Sequence, residues 1–195
     1  RRLTVFYQHP ETQKGASMYD QFKVRAEAVG AEVYRLGTKA QAEEFITSFM
    51  KEQGVADRKG AYAVWAESPL LDGCDKNALA LQIPGLRFDV SRELAADAKI
   101  GVSEMGWALA DTGSLVADQT DIKQRLASTL PEIHVAIVGT DKILDGKASV
   151  FSKINPANSR YIAFITGPSR TADIERVLTI GVHGPKRLVI VFVDE

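Results

Sequence analysis

Hydrophobic positions along this chain switch repeatedly between a helical period and a strand period. From Ser17 to Val29 the apolar residues Met18, Phe22 and Val29 share one side of a helix, and Gly30 follows as its stop. Ala31 to Arg35 reads as a short strand. Thr38-Lys-Ala-Gln41 has the spacing of a capping box and opens a second helix. In that helix Ala42, Phe45, Ile46, Phe49 and Met50 form a continuous stripe. Short apolar runs at 61–65, 99–103, 133–138, 161–165 and 187–193 read as buried strands. Between them the pattern predicts short helices over 76–82, 92–98 (capped by Ser91), 145–151 and up to Ala127, the last capped by Thr120 or Asp121. Residues 53–60 and 69–75 read as loops, and 108–116 as paired extended chain around a turn. A further helix is predicted over 171–180, with Ile174, Val177 and Leu178 on one face.

Alternating strands and helices with fully apolar strands predict an α/β fold, a sheet covered on both faces. The 195 residues, 45% of them hydrophobic, suffice for one domain spanning 1–195, with 1–60 a helical N-terminal portion packed on the main sheet. The net charge of −1 supplies no electrostatic reason to expect nucleic acid. No apolar run is long enough for a membrane-spanning helix. The chain opens on Arg1-Arg2 with neither an initiator Met nor a signal-peptide stretch. One cysteine, Cys74, rules out an internal disulfide and a Cys-ligated iron–sulfur cluster within these residues. It fits a reducing, cytoplasmic compartment. No two histidines have ligand spacing, so no metal is expected.

Two glycine-bearing segments carry the candidate chemistry. Thr166-Gly-Pro-Ser-Arg-Thr171, continuing through Asp173, follows the strand at 161–165 and precedes the predicted helix. Such a junction directs backbone N–H groups and the positive end of a helix dipole at one spot. Gly167 permits close approach, Pro168 stiffens the turn, Ser169 and Thr171 can cap or bind, and Arg170 can hold a carboxylate or phosphate. The competing reading is a well-capped turn and nothing more.

The second segment is Asp111-Thr112-Gly113-Ser114. It resembles the catalytic turn of aspartic proteases, but those are all-β, and here helices alternate with strands throughout. It reads either as a tight hairpin turn or as a polar turn facing the 166–171 loop across a sheet edge. Glu104, at the end of a strand, is a candidate acid or nucleophile, and a solvated strand-end residue otherwise. His183, between glycines, is a candidate base or a turn histidine. With Asp111 these form the candidate catalytic set. His134, in an apolar strand, reads as a satisfied core histidine.

The run 166–175 together with Gly181-Val-His-Gly-Pro185 resembles the signature of the lactate-utilisation (LUD) domain family, most closely its protein C type. Residues 22–36, Ala110-Asp-Thr-Gly-Ser-Leu-Val116 and Leu130-Pro-Glu-Ile-His-Val135 agree. Where the family usually has Ala-Glu-Thr-Gly-Thr this chain has Ala110-Asp-Thr-Gly-Ser114, which keeps the charge and shortens its reach by one carbon. The resemblance implies a three-layer, open, mostly parallel sheet like that of the sugar-phosphate isomerase and coenzyme A transferase superfamily. Members of that superfamily seat phosphates or activated acids over glycine-rich loops. The resemblance also implies a non-redox role in oxidising L-lactate to pyruvate, beside A- and B-type partner subunits that carry the iron–sulfur clusters. A small anionic ligand over the two loops is the further expectation.

Overall fold

The structure, a computed structural model, describes residues 17–171 and 179–195. Helix α1 (Met18–Ala28) starts at a reciprocal cap: the Ser17 hydroxyl accepts from Asp20 N, and the Asp20 carboxylate accepts from Ser17 N, each at 3.2 Å. The chain leaves α1 through Gly30 at φ 90° and enters strand β1 (Glu32–Leu36). Helix α2 (Lys39–Glu52) is capped by Thr38, whose hydroxyl accepts from Gln41 N. The Gln41 side chain reaches one residue further back than a capping box requires, to Gly37 N at 3.0 Å.

Strands β2 (Tyr62–Trp65) and β3 (Leu86–Arg87) flank α3 (Lys76–Gln82). Helix α4 (Arg92–Ala96) leads into β4 (Ala98–Glu104), and a hairpin of β5 (Trp107–Leu109) and β6 (Ser114–Asp118) leads to α5 (Ile122–Thr129). Next come β7 (Ile133–Gly139), β8 (Ile143–Leu144), α6 (Lys147–Phe151) and β9 (Ile162–Ile165). The short pair β10 (Arg170–Thr171) and β11 (Thr179–Ile180) precedes β12 (Arg187–Val193).

The main sheet has the order β1-β12-β7-β4-β2-β3, and every neighbouring pair is parallel. This is the α/β fold that the alternation predicts. Strand parity assigns the faces. Val189, Val191 and Val193 of β12 join Ile46, Phe49 and Met50 of α2 and Leu79 of α3 on one side. Leu188, Ile190 and Phe192 join Phe22 and Ala26 of α1 and the β5–β6 hairpin on the other. Both Phe22 and Tyr19 meet the Phe192 ring edge-on, with centroids 5.1 and 5.3 Å away. Helices α4 and α5 extend that second face; the carbonyl of Ala127 lies so close over Gly101 that no side chain fits there.

Two expectations change. The 161–165 run is a strand, but it joins a second, mixed sheet (β8-β5-β6-β9), pairs antiparallel with β6, and is only half-buried. Its partner is therefore the hairpin rather than the main sheet. The ends of the predicted helix 171–180 are extended: Arg170 pairs with Ile180 and Thr171 with Thr179, antiparallel. Ser169 O accepts from Gly181 N at 2.9 Å, which carries the ladder one step further. β-Branched Thr171, Thr179 and Ile180 suit extended chain. The rest of that prediction, 172–178 with Asp173, lies outside the described residues.

Candidate functional site

With no helix starting at residue 171, the 166–170 loop is shaped by α1. Gly167 has φ 72°, and a Cβ there would stand 2.7 Å from the Val29 carbonyl oxygen. Only glycine meets both conditions. Pro168 is buried beside Gly30, and the Arg170 guanidinium donates to the Val29 carbonyl. A cation on the last turn of α1 suits the negative end of its dipole. Arg170, expected to clamp an anion, is thus spent on tying the loop to α1. On its other side the loop joins the second half of the signature: Ser169 N donates to Pro185 O at 2.9 Å, and Gly184 packs against the Ser169 side chain.

The two loops enclose a cavity of about 400 Å³ at the amino ends of the parallel strands. Thr166, Gly167, Pro168, Ser169, His183 and Pro185 form its rim and β9 one wall. Leu188 and His134, register partners at the start of β12 and β7, form its floor together with Gln119 and Ser128. His183 is exposed on the rim. His134 is 1% exposed. Its Nε2 lies 2.8 Å from Ser103 Oγ, and its Nδ1 has no hydrogen-bond partner among the described residues. Burial pushes the ring down to about 3, so it stays neutral. Gln119 Nε2 donates to Ser128 Oγ at 2.9 Å, and Ser128 Oγ donates to the Arg125 carbonyl. His134, expected to be a satisfied core histidine, is buried as expected but only half-satisfied among the described residues.

The Asp111–Ser114 turn touches this region at one point, where Ser114 Oγ meets Thr166 Oγ1 at 2.7 Å. Its own geometry is that of a hairpin turn. Gly113 N donates to Leu109 O, φ of Gly113 is 66°, and a Cβ there would overlap the backbone of Ala26 in α1. Thr112 is exposed. The Asp111 carboxylate points away from the cavity and packs on Gly146 before α6.

Glu104 lies at the opposite, carboxyl edge. Three residues separate the levels of His134 and Ile137, the residue beside Glu104, which is about 10 Å along the sheet. The sequence-derived trio of Glu104, Asp111 and His183 is therefore spread over three places. At Glu104 the chain turns to the α1 face, whereas after β2 it turns to the α2 face. Adjacent strands whose connections leave on opposite faces open a crevice between them. Three buried polar atoms there lack partners among the described residues: Glu104 Oε2, Trp65 Nε1 and Ser68 Oγ. Burial raises the Glu104 carboxyl above its ordinary range, against the opposing pull of Lys39 and a backbone hydrogen bond from Leu70. A cleft of about 340 Å³ beside it is lined by Lys39, Leu70, Asp141, Lys142 and Glu195. A protonated or poorly solvated carboxyl in such a cleft can exchange a proton or attack an electrophile.

Among the described residues no group of three His, Cys, Asp or Glu side chains could hold a metal ion, and no helix is long and apolar enough to cross a membrane. The family model described as LUD domain matches residues 19–193. A "Lactate utilization protein C 1" from Bacillus mycoides is 34% identical over 113 residues, which cover 55% of this chain and 47% of that protein. A "Lactate utilization protein C" from Bacillus pumilus is 24% identical over 192 residues, 91% of this chain and 79% of its own. In the strongest alignments the chain spans about half the length of its relatives. A crystal structure of a DUF162 family protein from Deinococcus radiodurans superposes with a TM-score of 0.60 at 21% identity, covering 90% of this chain and 96% of that one. That likeness is one of fold, and the match over nearly the whole described length carries the assignment: the chain belongs to the LUD domain family.

Proposed function

We propose that this chain works in lactate utilisation, as a non-redox component that supports oxidation of L-lactate to pyruvate beside A- and B-type iron–sulfur partner subunits. The observation that carries the reading is the set of relatives bearing the name lactate utilisation protein C. The one cysteine, half-buried beside Glu43, is too few to ligate an iron–sulfur cluster within these residues, which supports a reading in which partners carry the electron-transfer centres. The test is co-purification of this chain with the two partners, with lactate-dependent dye reduction measured with and without it. Loss of lactate oxidation on omitting the chain supports the role. Lactate-dependent dye reduction by the chain alone, or full activity of the partners without it, overturns it.

A second reading is favoured by Glu104: a free-standing transferase- or isomerase-type enzyme acting on a phosphorylated or coenzyme A-linked small acid. Glu104 would serve as nucleophile or base, with Lys39 and Lys142 across the cleft to meet the anionic part of the substrate. Saturable binding of acetyl coenzyme A or a triose phosphate, weakened by Lys39→Ala, supports this reading. No binding of either counts against it.

A further inference from the structure

We infer that the amino-edge cavity is a binding site for an uncharged small molecule that presents a carbonyl or amide group to His134. The inference stands apart from the lactate reading and concerns a site at the other edge from Glu104.

The first observation is the state of His134. A buried polar atom without a partner costs free energy, and nearly all such atoms in folded proteins are paired. Ser103 occupies Nε2, and Nδ1 is left unpartnered in a residue that lines a cavity of about 400 Å³. That volume falls within the range of small-molecule pockets. Beside the ring, Gln119 and Ser128 extend a buried polar floor, both under 5% exposed. The cavity thus has a polar base under apolar walls of Ile165, Pro168, Pro185 and Leu188.

The second observation is charge. A quarter of the chain's residues are charged, yet among the described residues no Asp, Glu, Lys or Arg lines this cavity. Three cations near this edge are engaged elsewhere. Arg187 is bidentate to Glu32, at 2.9 and 3.1 Å, and Lys186 faces Glu132 at 3.4 Å. Arg125 lies over the Tyr161 ring, 4.5 Å from its centroid, and is not a lining residue. An anion on this floor would be desolvated with no cation among the described lining residues to meet it. Lactate, pyruvate and phosphate are therefore poor occupants, and an uncharged molecule is a good one.

The third step is the hydrogen-bond pattern. If Ser103 donates to Nε2, Nδ1 carries the proton and offers it to a carbonyl oxygen. If Ser103 accepts from Nε2–H, Nδ1 offers a lone pair to an amide N–H. An amide satisfies either tautomer. The neutral ring adds no charge that would favour an acid over an amide.

The experiment uses the whole chain with ¹⁵N in its histidine rings, read by long-range proton–nitrogen correlation. Nicotinamide and uracil are the uncharged probes; L-lactate, pyruvate and inorganic phosphate are the anionic ones. The expected result is a saturable shift of the His134 Nδ1 resonance with at least one uncharged probe and none with the anions. Ala163→Phe fills the cavity from its β9 wall and should weaken that binding by roughly tenfold or more. His134→Phe should do the same, and Ala163→Phe decides the matter if the His134 variant fails to fold. An anion that shifts the Nδ1 resonance overturns the inference. So does silence from both uncharged probes at millimolar concentration, or unchanged binding by Ala163→Phe.

Discussion

The two edges of the parallel sheet handle buried polarity in opposite ways. At the carboxyl edge a half-buried Glu104 sits among Lys39, Asp141, Lys142 and Glu195, and its surroundings hold the carboxyl above its usual range. At the amino edge a fully buried imidazole sits among hydroxyls, an amide and aliphatic side chains, and its surroundings keep it neutral. Both groups are driven toward their uncharged forms by loss of water. The difference is what lies around them: charges at one edge, and no charged side chain among the described residues of the cavity walls at the other. The carboxyl edge is suited to an anionic ligand and proton transfer, and the amino edge to holding an uncharged one. The signature loops at 166–170 and 181–185, which look made for an anion, belong to the uncharged edge.

The largest effect is expected where the amino edge is anchored. Gly113→Ala places a Cβ into the backbone of Ala26 and forces φ of 66° on an alanine. The conformational penalty and the overlap together should cost roughly 2–5 kcal/mol. Chemical denaturation measures it directly. The C-terminal end of α1 carries the 166–170 loop through Val29 and Gly30, so the variant should also loosen the cavity. Stability within about 0.5 kcal/mol of the parent would show that the turn does not press on α1.

How much of this was legible follows from what periodicity encodes. The alternation in 187–193 states which residues face which side, and Leu188, Ile190 and Phe192 indeed part from Val189, Val191 and Val193. Periodicity does not state which edge a loop occupies. The sequence suggested that the 111–114 and 166–171 turns meet, and they do, through Ser114 and Thr166. It grouped Glu104 with them, whereas strand direction sets Glu104 at the far edge. The helix predicted over 171–180 is extended at its two ends, where β-branched Thr171, Thr179 and Ile180 pair as strands, while Ile174, Val177 and Leu178 lie outside the described residues. His134 was hidden for another reason. A histidine in an apolar strand announces burial, but only its neighbours in space decide which ring nitrogens find partners.

The next prediction compares the edges by pH. His134 has a folded-state value of about 3, below the ordinary 6.5. Its neutral form therefore favours the fold fully above 6.5. That contribution is lost as pH falls toward 3, by about 1.4 kcal/mol per unit across the window. Urea titrations from pH 7 to pH 4 should show this slope in the parent and lack it in His134→Phe. Identical slopes would mean that the ring is hydrated in the native protein, and the neutral, desolvated His134 of the amino edge would fail with it.

Glu104 should show the opposite sign. Its folded-state value is raised, so the native protein holds the proton more tightly than the unfolded chain. Stability then falls as pH rises from the ordinary carboxylate range through the raised value, and the deficit persists above it. Glu104→Gln removes the ionisation. The variant should exceed the parent in melting temperature at pH 8, and the gap should shrink at pH 4. A variant less stable than the parent at pH 8 would show that the carboxylate is well paired, against the crevice as drawn.

The smallest expected effect sharpens the same edge through a different group. Cys74 sits in the loop beyond β2, with Sγ 2.8 Å from Glu43 Oε2 and 3.3 Å from the Leu70 carbonyl, a residue that also lines the Glu104 cleft. Burial first, and Glu43 second, push the thiol up to about 11. Only the thiolate attacks an alkylating reagent, so at pH 8 the native thiol should react roughly a hundredfold more slowly than in urea. Glu43→Gln removes the negative acceptor but not the burial, so it should speed the reaction only modestly and leave the fold unchanged. Native Cys74 reacting as fast as the unfolded thiol would mean that water reaches the Leu70 loop. The same water would reach Glu104, and the raised carboxyl that separates this edge from the other would lose its cause.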